Sequence, residues 1–335
     1  MSMSQPAVDT QRPRWLTMAA WQRSFREQPI VPLLVLLGLL VVLLFTIQPG
    51  LLGRPQQWAT ATIRFATPLA ILAACQTLTM LTGGIDLSVA TVASVAGFVM
   101  ASQSPSQGPL LAILLAFSVA AFFGVVNGIG VGIFRVQPLI MTIGTGLVAA
   151  GLLVVYQRFV ITAGSRVPDP ITWLAGGTSL GFFPNCLLVL VPLATVIIFS
   201  LRRTGYGRLL YAVGDNPVAS RLAGVRIWQV LLGVYVISSL LAGLAGIMVA
   251  GVTNTAAPGA ADSYLLPSVA AAVIGGTSIF GGRGGYSGTI VGALILTVLG
   301  SLLTVLRAPE PVRIIVYGLI ILGVAAAYAR ITGDS

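Results

Sequence analysis

At 335 residues a soluble chain would divide into two domains, but 56% hydrophobic residues, 8% charged residues and a mean hydropathy of +0.98 describe a polytopic membrane protein instead. All 18 basic residues are arginine, so the lysine that a P-loop ATPase needs in G-x-x-x-x-G-K-[ST] is missing, and the chain is not expected to hydrolyse ATP by itself. With no histidine and only Cys75 and Cys186, zinc, haem and thiol redox sites are disfavoured, and the net charge of +10 is scattered through short loops rather than gathered on a nucleic-acid-binding face.

The polar residues 1–29 carry Arg12, Arg14, Arg23 and Arg26 and precede the apolar run from Ile30 to Ile47. A helix over that run is roughly 27 Å long, which exceeds a signal-peptide core, and no A-x-A cleavage pattern follows. The run is expected to be a retained anchor with its N-terminus inside. Nine further apolar segments follow, at about 58–82, 85–101, 109–133, 138–162, 185–201, 229–250, 264–281, 286–306 and 312–330. The expected fold is therefore all-α, a polytopic membrane protein of about ten transmembrane helices, some of them discontinuous. Residues 30–330 form the transmembrane domain, with a cytoplasmic segment 1–29 before it and a cytoplasmic tail 331–335 after it.

The arginines support this orientation. Arg12, Arg14, Arg23, Arg26, Arg135, Arg202, Arg203, Arg208, Arg221, Arg226, Arg283 and Arg330 fall inside. Only Arg54, Arg166, Arg307 and Arg313 fall outside, while Arg64 and Arg158 lie near the outer ends of helices, where Arg64 can snorkel.

Thr82-Gly83-Gly84-Ile85-Asp86-Leu87-Ser88 reads as helix end, tight turn, N-cap and new helix. Asp86 either caps there or lines a transport route, since polar breaks in discontinuous helices serve both ends. Asn127-Gly128 and Thr142-Ile143-Gly144-Thr145 bring small residues into helices, where close packing competes with a pathway role. The outer loop from Ala163 to Pro184 carries Trp173, Phe182 and Phe183, which suit a docking partner or the lipid interface. Gly275-Gly276-Thr277-Ser278-Ile279-Phe280-Gly281-Gly282-Arg283-Gly284-Gly285 lacks the lysine of a phosphate cradle and is read as a hinge or close-packed turn that echoes Gly83-Gly84.

The longest polar interruption runs from Arg202 to Gln229, with five arginines and the single acid Asp215, and it belongs in water. Within it Asn216 suits an N-cap, Pro217 the first helical position and Gly224 the C′ position of one short helix. Asp215 faces the positive end of its dipole. Val218 and Leu222, at i and i+4, form an apolar knob with Arg221 beside it. So short a helix needs support, so the knob either packs on the protein's own helix ends or is offered to another subunit.

Gly83 to Ser88, Ala212 to Ala219 and Gly275 to Gly284, together with Asn127-Gly128 and Thr142 to Thr145, resemble the permease subunits of bacterial ABC importers for ribose, other monosaccharides and autoinducer-2. The likeness runs from about residue 30 to 330. It implies an inner-membrane subunit without catalysis and without a bound cofactor, ATP and Mg belonging to a separate cytoplasmic ATPase with two fused nucleotide domains. It further implies a periplasmic sugar-binding protein and a second permease, either another copy or a sister chain. Asp215, Asn216, Pro217, Val218, Arg221, Leu222 and Gly224 would then couple to the ATPase. Gly83, Gly84, Asp86, Ser88, Asn127, Thr142, Gly275 and Gly276 would serve the pathway or its helix breaks. Ala90, Ala150 and Asp215 depart from the residues common in that family. Permeases for branched-chain amino acids or nucleosides are the nearest alternative. A secondary transporter ranks lower, because Asp86 is the sole acid placed for a coupling site; a membrane enzyme would need a nucleophile or metal constellation that the sequence does not offer.

Overall fold

The computed structural model describes residues 30–159 and 165–332. The expected segment 1–29, residues 163 and 164 of the outer loop and the end of the expected tail, residues 333–335, lie outside the described residues.

Helix α1 (Ile30–Ile47) leads through a 3-10 turn at Pro49–Gly53 into α2 (Pro55–Leu81). Pro55 opens α2 at a position whose N–H would go unused. Helix α3 (Val89–Gln107) turns at Gly108 into α4 (Pro109–Gly132), and α5 (Pro138–Phe159) follows. The described part of the expected outer loop forms the short helix α6 (Asp169–Gly176) and a two-residue antiparallel ribbon pairing Thr178 with Pro184 and Ser179 with Phe183. Then come α7 (Leu187–Arg203), α8 (Gly205–Asp215), α9 (Pro217–Leu222), α10 (Ile227–Thr253), α11 (Leu265–Ile274), α12 (Tyr286–Val305) and α13 (Glu310–Thr332).

Each of the ten predicted segments contains a helix. By length and apolarity, six helices among the described residues suffice to cross a membrane, or seven if α7 and α8, bent by 68°, form one span. The expected segment 264–281 is corrected: α11 stops at Ile274, because Gly275 and Gly276 begin a non-helical stretch that lasts to Gly285.

Helix α10 sits at the centre, against α2, α3, α4 and α6, while α12 joins α11 and α2 to α1. Small residues make the central crossings close. A Cβ on Gly246 of α10 would overlap the Ala93 carbonyl of α3, and one on Gly243 would lie 2.9 Å from Ala120 Cβ of α4. Apolar tails offer no hydrophobic drive between helices, so such backbone approach supplies the packing energy. A Cβ on Gly128 would lie 2.8 Å from Leu232 Cα, whereas Gly144 has open space around it. Large apolar side chains of α1, α4, α5, α7 and α13 are exposed around the bundle, the pattern of a lipid-facing surface.

The chain reverses at two ends. At one, here the glycine end, Gly84 touches Pro138, Gly132 touches Trp228, and Gly214 touches Leu81 and Gly282. At the opposite end Gly251 packs on Ala175 of α6, and Thr172 donates to Asn254 Oδ1 at 3.2 Å.

Candidate functional site

The sequence places two polar interruptions at the glycine end, and they fold in opposite senses. Helix α9 is built as its caps dictate. The Asn216 side chain accepts from Ala219 N at 2.9 Å, Pro217 opens the helix, and Gly224 takes φ +85 beyond its end. The Gly224 N–H donates to the Arg221 carbonyl and the Val225 N–H to the Ser220 carbonyl, both at 3.0 Å, which closes a Schellman motif. Ser220 faces inward and donates to the Ala212 carbonyl at 2.8 Å, so one polar side chain holds α9 to α8. Val218 and Leu222 face outward, 69% and 85% exposed. The expected alternative, in which this knob packs on the chain's own helix ends, is not what the chain does. Asp215 and Arg221 are exposed beside it.

The other interruption turns inward. Asp86 is fully buried and accepts at Oδ1 from Ser88 N at 3.0 Å and from Ser88 Oγ at 2.6 Å, and at Oδ2 from Ser238 Oγ at 3.2 Å. Asn127 Nδ2 donates to Ser88 Oγ at 2.9 Å, and Thr145 donates to Asn127 Oδ1 at 2.6 Å. Thr142 accepts from Leu87 N at 3.0 Å, and Gln76 Nε2 donates to the Asp86 carbonyl at 2.7 Å. One knot thus ties α2, α3, α4, α5 and α10 together. The donors converge on the carboxylate, which suits an acceptor kept away from water. One expectation is corrected here. Asp86 is not the N-cap, a position held by Ser88, because its side chain reaches forward to close the turn. Ser88, Asn127 and Thr142 are each 0% exposed in the chain taken alone.

Glycines bring the two interruptions together. A Cβ on Gly214, at the end of α8, would overlap the Leu81 carbonyl and lie 2.6 Å from Gly282 N. Gly282 N itself donates to that Leu81 carbonyl at 3.0 Å, and Tyr211 donates to the Gly284 carbonyl at 2.9 Å. A Cβ on Gly281 would sit 2.7 Å from Gly214 O and 3.0 Å from Gly83 N. The three glycine-marked stretches of the sequence, 83–88, 212–219 and 275–284, therefore meet at one joint. Gly275 lies one layer away, against Gly288 and Thr289 of α12, and Gly276 makes the turn that leaves α11.

Residues 59–325 match the family described as branched-chain amino acid transport system / permease component. The chain belongs to this permease family. The match embraces the buried knot, the exposed helix and the glycine joint. Among individual relatives, the ribose import permease protein RbsC of Escherichia coli strain K12 is 37% identical over 257 residues, 76% of this chain and 79% of the relative. The fructose import permease protein FrcC of Rhizobium meliloti is 32% identical over 266 residues, 75% and 72% of the two chains. A probable ABC transporter permease protein, y4mJ of Sinorhizobium fredii, is 37% identical over 235 residues, 69% of each. No solved structure matches.

For this permease the sequence had not pointed to Gln76 or Ser238 as partners of Asp86, nor to Thr145 as the partner of Asn127. A glutamine within an apolar run and Ser238-Ser239 in mid-helix were the available signals. Near the knot Tyr235 Oη, Gln76 Oε1 and Ser239 Oγ are buried and have no hydrogen-bond partner among the described residues.

Proposed function

We propose that this permease carries a sugar or sugar-like solute across the bacterial inner membrane, driven by a separate cytoplasmic ATPase with two fused nucleotide domains and supplied by a periplasmic sugar-binding protein. A second copy or a sister chain completes the translocation unit. ATP and Mg belong to the ATPase, and this chain binds no cofactor of its own. Both termini and the segment 202–229 lie on the cytoplasmic side, which the arginine distribution supports. The ribose and fructose names of its relatives favour a sugar over a branched-chain amino acid or nucleoside.

The observation that carries the coupling half of this reading is α9. A short, fully capped helix presents Val218 and Leu222 to solvent beyond the apolar bundle, where exposing them costs energy unless a partner covers them. Asp215, Asn216, Pro217, Arg221 and Gly224 shape and flank that surface. The buried knot of Asp86, Ser88, Asn127 and Thr142, with the breaks at Gly83-Gly84 and Gly275-Gly276, positions the helices that border the route.

The test is uptake of labelled ribose and fructose, with a panel of unlabelled competitors, in cells with and without the chain. Uptake should require the chain and ATP and should survive collapse of the proton gradient. Uptake that tracks the gradient with ATP intact would establish a secondary transporter instead.

A further inference from the structure

We propose that the joint where Gly214 meets the Leu81 carbonyl and the Gly281–Gly282 turn passes displacement of the exposed helix α9 to the buried Asp86 knot, making Gly214, Gly281 and Gly282 positioning residues for coupling. This rests on the proposed docking of α9 to an ATPase.

The physical case lies in what the joint lacks. Most helix contacts are cushioned by side chains that change rotamer at little cost. At this joint backbone meets backbone, because the position that a Cβ would fill on Gly214 is occupied by the Leu81 carbonyl and Gly282 N, and that on Gly281 by Gly214 O. A close-packed contact without side chains has no rotamer with which to absorb movement. Each link onward is equally short. Asn216 follows α8 directly and caps α9, and Ser220 of α9 donates back to Ala212 of α8, so α8 and α9 move together. Leu81 ends α2, and the Gly83-Gly84 turn follows, with Gly84 N donating to the Thr79 carbonyl at 3.1 Å. A Cβ on Gly84 would lie 2.6 Å from Tyr235 Oη and 3.2 Å from Pro138 Cβ, so the turn is gripped by α10 and by the start of α5. Two residues later comes Asp86, whose bonds to Ser88 and Ser238, extended through Asn127, reach α3, α10 and α4. A shift of α8 and α9 therefore meets α2, α5 and α10 before any flexible element intervenes.

Hydrogen exchange reads this without knowledge of the solute. Amides of residues 82–92 and 212–224 are followed in the permease–ATPase complex, trapped either with ATP and vanadate or with ADP. In the unaltered complex both stretches should change protection between the two states by about threefold or more, within the range of measured long-range couplings. With Gly214→Ala, residues 212–224 should still respond and residues 82–92 should not. Tyr211→Phe removes only the bond to the Gly284 carbonyl and decides the matter if the alanine variant does not fold: it should weaken the response at 82–92 while sparing that at 212–224. A response confined to 212–224 in the unaltered complex would overturn the proposal, as would an undiminished response at 82–92 in a folded Gly214→Ala variant or, where that variant does not fold, in Tyr211→Phe. A different failure, in which the unaltered permease recovers no ATPase, would strike the functional reading and carry this inference with it.

Discussion

Helix α9 and the Asp86 turn are both short polar interruptions of an apolar chain, both bounded by glycine, and both built at the glycine end; yet α9 shows its apolar side chains to solvent while the turn hides a carboxylate. The difference lies in where each finds its hydrogen-bond partners. Helix α9 satisfies its backbone within itself through Asn216 and the Gly224 cap, and among the described residues its side-chain hydrogen bond to a neighbouring helix is that of Ser220. The Asp86 turn draws partners from four other helices and is fixed wherever they are. A self-sufficient element is free to serve a partner outside; a dependent one reports the arrangement within.

Substitutions should separate the two regions by the size of their effect on the lone permease. The largest belongs to Asp86→Ala, which leaves Ser88 N, Ser88 Oγ and Ser238 Oγ without their acceptor. Each buried donor so orphaned costs about 1–3 kcal/mol, so the melting temperature in detergent should fall sharply, and Asp86→Asn should recover part of the loss. A melting curve close to the unaltered one for Asp86→Ala would mean that the knot does not hold the helices. Next comes Gly246→Val in the crossing of α10 with α3, where overpacking typically costs about 1–3 kcal/mol; the same assay should show a clear but smaller drop. On α9 the effects should stay local. Gly224→Val forces a branched residue into φ +85. A left-handed residue of that kind costs roughly 1–2 kcal/mol, visible as faster amide exchange over residues 219–225 with little change in melting. Asn216→Ala should be the mildest, about 1 kcal/mol of helix stability by the same exchange measurement.

The same contrast explains what could be read before the fold was known. Helix α9 was legible residue by residue, because Asn216, Pro217 and Gly224 act on their immediate neighbours and local rules are written in local sequence. The outward aim of Val218 and Leu222 was not, since i, i+4 spacing fixes a shared face but not what lies opposite it. Asp86 was visible as an anomaly, yet Gln76 and Ser238, which bond it, and Asn127 and Thr145, which extend the knot from Ser88, come from ten to more than a hundred residues away, a distance over which spacing says nothing. The joint at Gly214 was hidden for a related reason. Glycine in a helix ordinarily signals flexibility or capping, and only the approach of the Leu81 carbonyl shows why a side chain is excluded there. The membrane class and the helical segments were plain from hydropathy alone, while the end of α11 at Ile274 required the glycine pair to be taken as a break rather than as part of the apolar run.

The central claim, that α9 is a docking surface for an ATPase and not a support of its own chain, is tested most directly by replacing Val218→Asp and Leu222→Asp together. Both side chains are exposed in the chain alone, so the purified permease should melt as the unaltered one does. Burying each against a partner is worth roughly 1.5–3 kcal/mol, so the carboxylates should cut ATPase recovery in co-purification by at least about tenfold and abolish uptake. Unchanged ATPase recovery together with a lowered melting temperature of the lone permease would contradict the account.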